Sequence, residues 1–130
     1  MVKKLLFFLA SLAMVLAGIN VKVSAADTCT VICYPYTIYG SCYITQTSAG
    51  VTTYSIPITN VYVIADYYYI VDPSGVNPSL ESVSSNIGGE GSVFDCFIAG
   101  GNRQSYYIRA THGISGCSAV GYTEAYYLNQ

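Results

Sequence analysis

The sequence predicts an all-β fold: an antiparallel β-sandwich of about seven strands, immunoglobulin-like in size and stabilised by disulfides. The region after residue 25 is rich in Val, Ile, Thr and Tyr, which favour pleated, half-buried strands. No window of about 11 residues there keeps the i, i+3, i+4, i+7 apolar spacing of an amphipathic helix. Turn-forming Gly, Pro, Asn and Ser separate short apolar runs, as in strands joined by hairpins.

The first residues have the pattern of a secretory signal peptide. Lys3 and Lys4 precede a 13-residue apolar run, and Val23–Ala25 has the character of a cleavage site. The run is shorter than the roughly 20 residues that a membrane-spanning helix needs. We therefore expect a signal peptide over residues 1–25, a single secreted β-domain over residues 26–130, and no stable membrane span after cleavage. The expected location is secreted, periplasmic or at the cell surface.

The charge of the mature region excludes two classes of partner. After residue 25 there is no Lys. The two arginines, Arg103 and Arg109, are outnumbered by seven Asp and Glu residues, which gives a net charge of −5. Nucleic-acid binding needs a basic patch that neutralises phosphates, and attraction to anionic lipid needs a polybasic segment. We therefore expect an acidic protein that binds neither.

Three short runs predict the first strands. Pro35 ends the first run because it cannot donate to a β-ladder. Residues 48–50 are predicted to be the hairpin connection between the second and third runs. The three predicted strands cover residues 28–34, 41–47 and 51–56.

The longest predicted strand covers Thr59–Val71. Apolar and aromatic residues occupy both its odd and its even positions, so we expect a central strand that is covered on both faces.

Residues 72–91 break the pattern. Asp72–Gly75 is a turn signature, and Asn77 is predicted to cap one helical turn that points Leu80 and Val83 inward. A loop of this length in a compact domain is often functional. The alternative is a crossover between sheets that contains a short edge strand.

The remaining sequence predicts a three-stranded meander. Gly100–Asn102 and His112–Gly116 are the predicted turns. The three predicted strands cover residues 92–99, 103–111 and 117–128.

Five cysteines lie in the mature region, where export favours disulfides. Two bridges among five thiols allow fifteen arrangements. We expect Cys33–Cys42 within the first hairpin and Cys96–Cys117 between late strands. Cys29 is then left over, either as a free or intermolecular thiol or as an inert buried one.

Catalytic patterns are weak, and we expect no enzyme, cofactor or metal. The nearest nucleophile–base pair is Cys117 with His112, the sole histidine. Asp95 and Glu124, as a carboxylate pair on neighbouring strands, would suit glycosidase chemistry, although pairing with arginine explains each of them as well. A calcium site could use the carboxylates of the 72–91 segment, but the spacing of Asp72, Glu81 and Glu90 matches no calcium loop.

The fourteen tyrosines carry the strongest signal. Neighbouring residues on a strand point to opposite faces, so the runs at 67–69, 106–107 and 126–127 must each send a ring outward if one face is core. Outward rings offer rigid contact area with a hydroxyl handle. The same period predicts that Arg103, Ser105, Tyr107, Arg109 and Thr111 share one polar face. The predicted binding residues are Tyr67, Tyr69, Tyr107, Arg103 and Arg109.

The sequence therefore predicts an exported binding protein. Its Tyr-rich faces are expected to bind a glycan or a protein partner. Self-association into a homo-oligomer is a further expectation, because strands such as Ser41–Thr47 lack edge-protecting charges and Cys29 is spare. The alternative is a secreted effector, such as a toxin, antimicrobial or inhibitor, that acts through the 72–91 loop.

Overall fold

The computed structural model describes residues 25–127, which form two packed antiparallel sheets of four strands each. The predicted all-β sandwich is confirmed, with eight strands rather than seven. Among the described residues there is no helix long and apolar enough to span a membrane. The predicted signal peptide falls on residues 1–24, outside the described residues, and on Ala25, where the first strand begins. The strands are β1 (Ala25–Cys33), β2 (Tyr36–Ile44), β3 (Ser48–Ile56), β4 (Asn60–Val71), β5 (Ser79–Glu90), β6 (Ser92–Ile98), β7 (Arg103–Ile114) and β8 (Gly121–Tyr126).

The first sheet has the strand order β1-β2-β3-β6, and the second has the order β5-β4-β7-β8. The chain therefore crosses between the sheets after β3, after β5 and after β6. Because β6 pairs with β3 and not with β7, the predicted three-stranded meander is wrong. Asp95 of β6 and Glu124 of β8 consequently lie in different sheets, so the predicted placement of this carboxylate pair on neighbouring strands is wrong.

The core lies between the sheets and follows the period of two. Ile38, Cys42 and Ile44 of β2 face Ile108 and the other inward residues of β7, and all of these side chains are buried. The odd residues of β4 complete the core from Val61 to Tyr67. The even residues of β4 point away from the core, so the expected covering of both faces of this strand is wrong.

The 72–91 segment is mostly a strand. β5 pairs with β4 along twelve residues without interruption, and Ile87 and Gly89 point towards the core. Leu80 and Val83, which were predicted to face inward on a helical turn, are exposed on this strand. The Ser- and Gly-rich composition resembles a loop, but the pairing with β4 holds it extended. Only residues 72–78 connect β4 to β5. The effector hypothesis assigned a long loop to residues 72–91, and most of that segment is a strand instead.

The β2–β3 turn lies earlier than predicted. β2 ends at Ile44, and residues 45–47 turn the chain, so residues 48–50 already belong to β3. Thr45 holds the turn because its Oγ1 accepts the backbone N–H groups of Thr47 (3.3 Å) and Ser48 (3.0 Å). β2 is an interior strand, so its charge-free 41–44 stretch is not an open edge.

One disulfide joins the two sheets. Cys33 at the end of β1 is bonded to Cys117 in the connection between β7 and β8, with Cα atoms 6.5 Å apart. The predicted Cys33–Cys42 bridge is wrong because Cys33 lies opposite Tyr36, six residues along β2 from Cys42, a separation of about 20 Å.

The predicted Cys96–Cys117 bridge is wrong as well, since Cys96 is an exposed residue of β6 in the first sheet. Cys29, Cys42 and Cys96 are free thiols. Cys29 is half-buried and packs over Gly121 between the sheets, so it does not extend from a sheet edge.

Candidate functional site

A β-bulge on β7 determines which side chains reach the outer face of the second sheet. Tyr107 lies opposite Tyr68, whereas Ser105 lies opposite Tyr69, so Tyr106 is an extra residue. The extra residue reverses the alternation: Ser105 is buried against the core, while Tyr107 lies on the outer face. The predicted common face of residues 103–111 is therefore wrong.

The strand register aligns a polar row across this outer face. Ser84 lies opposite Asp66, Asp66 opposite Arg109, and Arg109 opposite Glu124. Arg109 donates from Nε to Asp66 Oδ2 at 3.0 Å, and Ser84 donates to Asp66 Oδ1. These bonds, that of Ser84 first, lower the pKa of Asp66, and the pairing with Asp66 raises the pKa of Arg109. The pair is charged at neutral pH and joined by a direct hydrogen bond.

A row of tyrosines runs beside the polar row. The Tyr107 ring stacks on Tyr126 with centroids 4.3 Å apart and lies 5.7 Å from the Tyr68 ring on its other side. Its hydroxyl donates to Glu124 Oε2 at 2.6 Å. Burial and this bond to a carboxylate raise the pKa of Tyr107. Tyr107 therefore orients Glu124 and remains protonated.

A groove of about 580 Å³ lies across β4, β7 and β8. Thr111 is opposite both Ile64 and Tyr122 in the register, and its small side chain forms the floor between these two larger ones. The Tyr122 side chain is 70% exposed. Arg109 and Glu124 lie at the polar end of the groove.

Asp27 of β1 closes the groove at the edge of the sandwich. Its Oδ2 accepts the backbone N–H of Glu124 at 3.0 Å, and its Oδ1 accepts the N–H of Thr28 at 3.0 Å. A carboxylate of the first sheet thus lines a groove on the second. The groove presents carboxylates, a guanidinium and tyrosine rings, a set of groups that can form hydrogen bonds and ring contacts with a polar molecule.

The five predicted binding residues separate into three places. Tyr107 and Arg109 line the groove. Tyr67 is only 1% exposed, and its hydroxyl bonds Ser105 Oγ at 2.5 Å, so this ring belongs to the core and is not available to a ligand. Tyr69 and Arg103 lie together elsewhere, with the guanidinium carbon 5.5 Å from the ring centroid.

The other polar and aromatic groove residues were not among the predicted binding residues, although Glu124 was considered as a catalytic carboxylate; they include Asp27, Asp66, Tyr122 and Glu124. Asp66 and Glu124 stand at polar positions within otherwise apolar alternations, which was the available signal. The pairing of β4 and β8 with the same strand, which brings them together, is not visible in the sequence.

His112 has a structural position. It is fully buried, with Nδ1 2.6 Å from Thr53 Oγ1 and Nε2 2.7 Å from Thr123 Oγ1. Burial lowers its pKa to about 4, against smaller opposing effects of Asp27 and the Thr52 backbone. Because Cys117 is held in the disulfide, the Cys117–His112 nucleophile–base pair is not formed.

The acidic residues of the 72–91 segment do not converge. Glu81 and Glu90 stand nine residues apart on one straight strand, a separation of about 30 Å, so both cannot join Asp72 around one ion. Among the described residues, no group of three or more His, Cys, Asp or Glu side chains is placed to hold a metal ion.

Comparison with known proteins identifies no relative: no family model, curated protein or solved structure matches this chain.

Proposed function

We propose that this domain binds a neutral carbohydrate in the groove on the outer face of the second sheet. The observation that carries the proposal is the combination, in one groove of about 580 Å³, of an exposed tyrosine ring with fixed carboxylates and a guanidinium. Sugar rings have C–H faces that pack on aromatic rings and hydroxyl groups that bind both charged groups. Tyr122 supplies the ring, and Asp66, Arg109 and Glu124 supply the polar groups.

The size of the groove favours a small ligand or a few residues of a polymer over a folded protein. Pockets for small ligands measure about 300–1,000 Å³, and this groove falls within that range. A folded partner would instead rest on the flat remainder of the sheet. The concave site therefore supports the glycan half of the expectation drawn from the tyrosines.

The charge of the groove favours a neutral ligand over an acidic one. Asp27, Asp66 and Glu124 carry three negative charges, and Arg109, already paired with Asp66, carries the one positive charge among the residues that line the groove. A uronic acid or a sulfated sugar would be repelled, whereas an uncharged hydroxyl can donate to a carboxylate or accept from the guanidinium.

The polar groups are held before a ligand arrives. Tyr107 holds Glu124, Ser84 and Arg109 hold Asp66, and all lie on paired strands. Arg109 uses Nε for its bond and its side chain is 57% exposed, so its terminal nitrogens can reach a ligand. Groups that are already ordered lose little entropy on binding.

The test is affinity electrophoresis of the mature protein through gels that contain a β-glucan, a xylan, a mannan or starch, followed by calorimetry with the polymer that retards it. Tyr122→Ala and Glu124→Gln remove the ring and one carboxylate charge. We expect each to weaken binding by about 3–10-fold. Tyr34→Ala is the matched control, because Tyr34 lies in the β1–β2 turn and is 92% exposed.

The proposal is supported if one of these polymers retards the protein, Tyr34→Ala preserves the retardation, and the groove variants reduce it. Migration unaffected by all four polymers, or binding that neither groove variant changes, contradicts it.

A further inference from the structure

The four strand edges of this sandwich are not equally protected. A free edge presents unpaired backbone N–H and C=O groups, and proteins usually shield it with lysine, proline, a bulge or an inward charge. The described residues contain no lysine. At three edges an aspartate accepts an outward backbone N–H instead, and at the fourth, β5, no aspartate does so.

The strand register shows which groups point outward. In an antiparallel pair, the N–H and C=O of one residue point to the same side, and those of the next residue point to the other side. Ala99 donates to Thr47 O at 2.8 Å, so the odd residues of β6 face β3 and the N–H of Cys96 faces the free edge. Asp95 Oδ1 accepts that N–H at 2.9 Å.

Asp27 protects the other two edges on the opposite side of the sandwich. Tyr127 donates to Tyr106 O at 3.0 Å, which leaves the N–H of Glu124 on the free side of β8. Asp27 accepts that N–H with Oδ2 and the N–H of Thr28 on β1 with Oδ1. One side chain therefore covers an edge group on each of two strands.

β5 has no comparable cover among the described residues. Gly91 donates to Thr59 O at 2.8 Å, so the odd residues of β5 face β4 and the even residues face outward. The strand has no proline, no arginine and no break in its register. Its outward N–H and C=O groups belong to Leu80, Ser82, Ser84, Asn86, Gly88 and Glu90.

A second, independent observation falls on the same strand. Ser85 Oγ is the buried side-chain polar atom that has no hydrogen-bond partner in the described part of the chain. Leaving such a buried group unpaired is destabilising, so a structure that supplies a partner is favoured.

We propose that β5 pairs antiparallel with β5 of a second copy of this chain, about a two-fold axis through Ser85. This register places even residues opposite even residues, so the outward N–H and C=O groups of both copies meet. It also places the two Ser85 side chains directly opposite each other in a non-hydrogen-bonded pair, where the strands bring side chains closest. Each hydroxyl then has a partner in the other.

The side chains of the remaining pairs are compatible in the same register. Val83, which is 44% exposed, comes opposite Ile87 of the second copy, and the contact occurs twice by symmetry. Glu81 comes opposite Gly89, and Glu90 opposite Leu80, so no two carboxylates face each other directly. A two-fold interface of this kind is self-complementary and closes at two subunits.

In the dimer, the second sheets of the two copies would join into one continuous eight-stranded sheet. Because the two-fold axis of an antiparallel pair is perpendicular to the sheet, the grooves of both copies open on the same side. A polymer that reaches both grooves would bind more tightly than a single groove allows. The pairing itself depends only on β5, and its test requires no ligand.

The experiment is sedimentation equilibrium of the mature protein in a Cys96→Ser background, which excludes a disulfide between the exposed thiols. We expect a reversible dimer. Asn86→Pro removes an outward N–H without touching the bonds to β4, and Ser82→Lys places a charge within the pairing, opposite Gly88 of the second copy. Each is expected to weaken the dimer by ~10-fold or more. Ser92→Lys, on the exposed face of the β6 edge, is the matched control and should leave the dimer unchanged.

Amide hydrogen exchange provides a second readout that needs no folded variant. The even-numbered amides of β5 should exchange more slowly as protein concentration rises, whereas the odd-numbered amides, bonded to β4, should be slow at every concentration. A monomer at millimolar concentration, a dimer that survives both Asn86→Pro and Ser82→Lys, or even-numbered amides that ignore concentration would overturn the proposal.

Discussion

Gly40 of β2 and His112 of β7 face each other across the space between the sheets, with the imidazole directly over the glycine. A Cβ on Gly40 would overlap the His112 ring. The ring is held in place from both ends by Thr53 and Thr123, so it cannot turn aside without losing a hydrogen bond. The glycine is therefore part of the histidine site.

Gly40→Ala should accordingly destabilise the fold. Overpacking of a closely packed site typically costs about 1–3 kcal/mol, and the threonine bonds leave the ring no alternative position. Gly100→Ala is the matched control, because a Cβ there meets nothing within 4 Å, and its cost should stay within about 0.5 kcal/mol. Urea denaturation of both variants measures the difference. Equal midpoints for the two variants would show that the His112 site is not tightly packed.

The buried histidine should also make stability depend on pH. Its pKa is about 4 in the folded protein and 6.5 when unfolded, so the unfolded chain binds more protons between these values. Stability is therefore complete above pH 6.5 and falls as the pH drops towards 4. Because one pKa unit corresponds to about 1.4 kcal/mol, the loss should approach about 3 kcal/mol.

Urea denaturation at pH 7.0, 5.5 and 4.5 tests this dependence, with His112→Gln as a variant that cannot titrate. The wild type should lose stability across the series, and the variant should lose much less. Asp66 does not confuse the result: its lowered pKa means that its contribution is lost only below its ordinary value. A wild type as stable at pH 4.5 as at pH 7.0 would contradict the assignment of a neutral buried imidazole.

The sequence was sufficient to predict the class of fold and the position of β4, because β4 is a long uninterrupted run rich in Val, Ile and Tyr, which have high strand preference. It was insufficient for β5, whose Ser, Asn and Gly residues have weak strand preference and are held extended by pairing with β4. The bulge at Tyr106 was equally invisible, since both Tyr106 and Tyr107 suit a strand. Because that single extra residue reverses the alternation of β7, Arg103 and Arg109 no longer share a face of the sheet.

Only part of the candidate site was predicted from the sequence, for a similar reason. Tyr107 and Arg109 stood out by residue type. Asp66 and Glu124 join them only because β4 and β8 both pair with β7, and register between distant segments is not encoded in local pattern. The disulfide was not predicted for the same reason: Cys33 and Cys117 are 84 residues apart in sequence, and local pattern does not show that they meet.

The Cys33–Cys117 bridge should contribute strongly to stability. It closes a long loop and connects the sheets at one end, and bridges of this kind typically contribute about 2–4 kcal/mol. The double variant Cys33→Ser/Cys117→Ser should lower the free energy of unfolding by that amount. Cys96→Ser is the control, since this thiol is exposed and outside the core. Denaturation of the two variants at pH 7 distinguishes them, and similar midpoints would contradict the pairing.

The three free thiols should differ widely in reactivity, because the thiolate is the reactive form. Cys42 is 1% exposed, and burial raises its pKa to about 11, only partly opposed by a hydrogen bond with Thr123. Burial also raises the pKa of the half-buried Cys29. Cys96 is exposed.

Brief treatment of the native protein with iodoacetamide at pH 8, followed by peptide mass mapping, should find Cys96 modified first, Cys29 slowly and Cys42 only after denaturation. Cys33 and Cys117 should remain unmodified until a reductant is added. Early modification of Cys42 would show that β1 and β2 open readily over the core, and a labelled Cys117 without reductant would contradict the inter-sheet bridge.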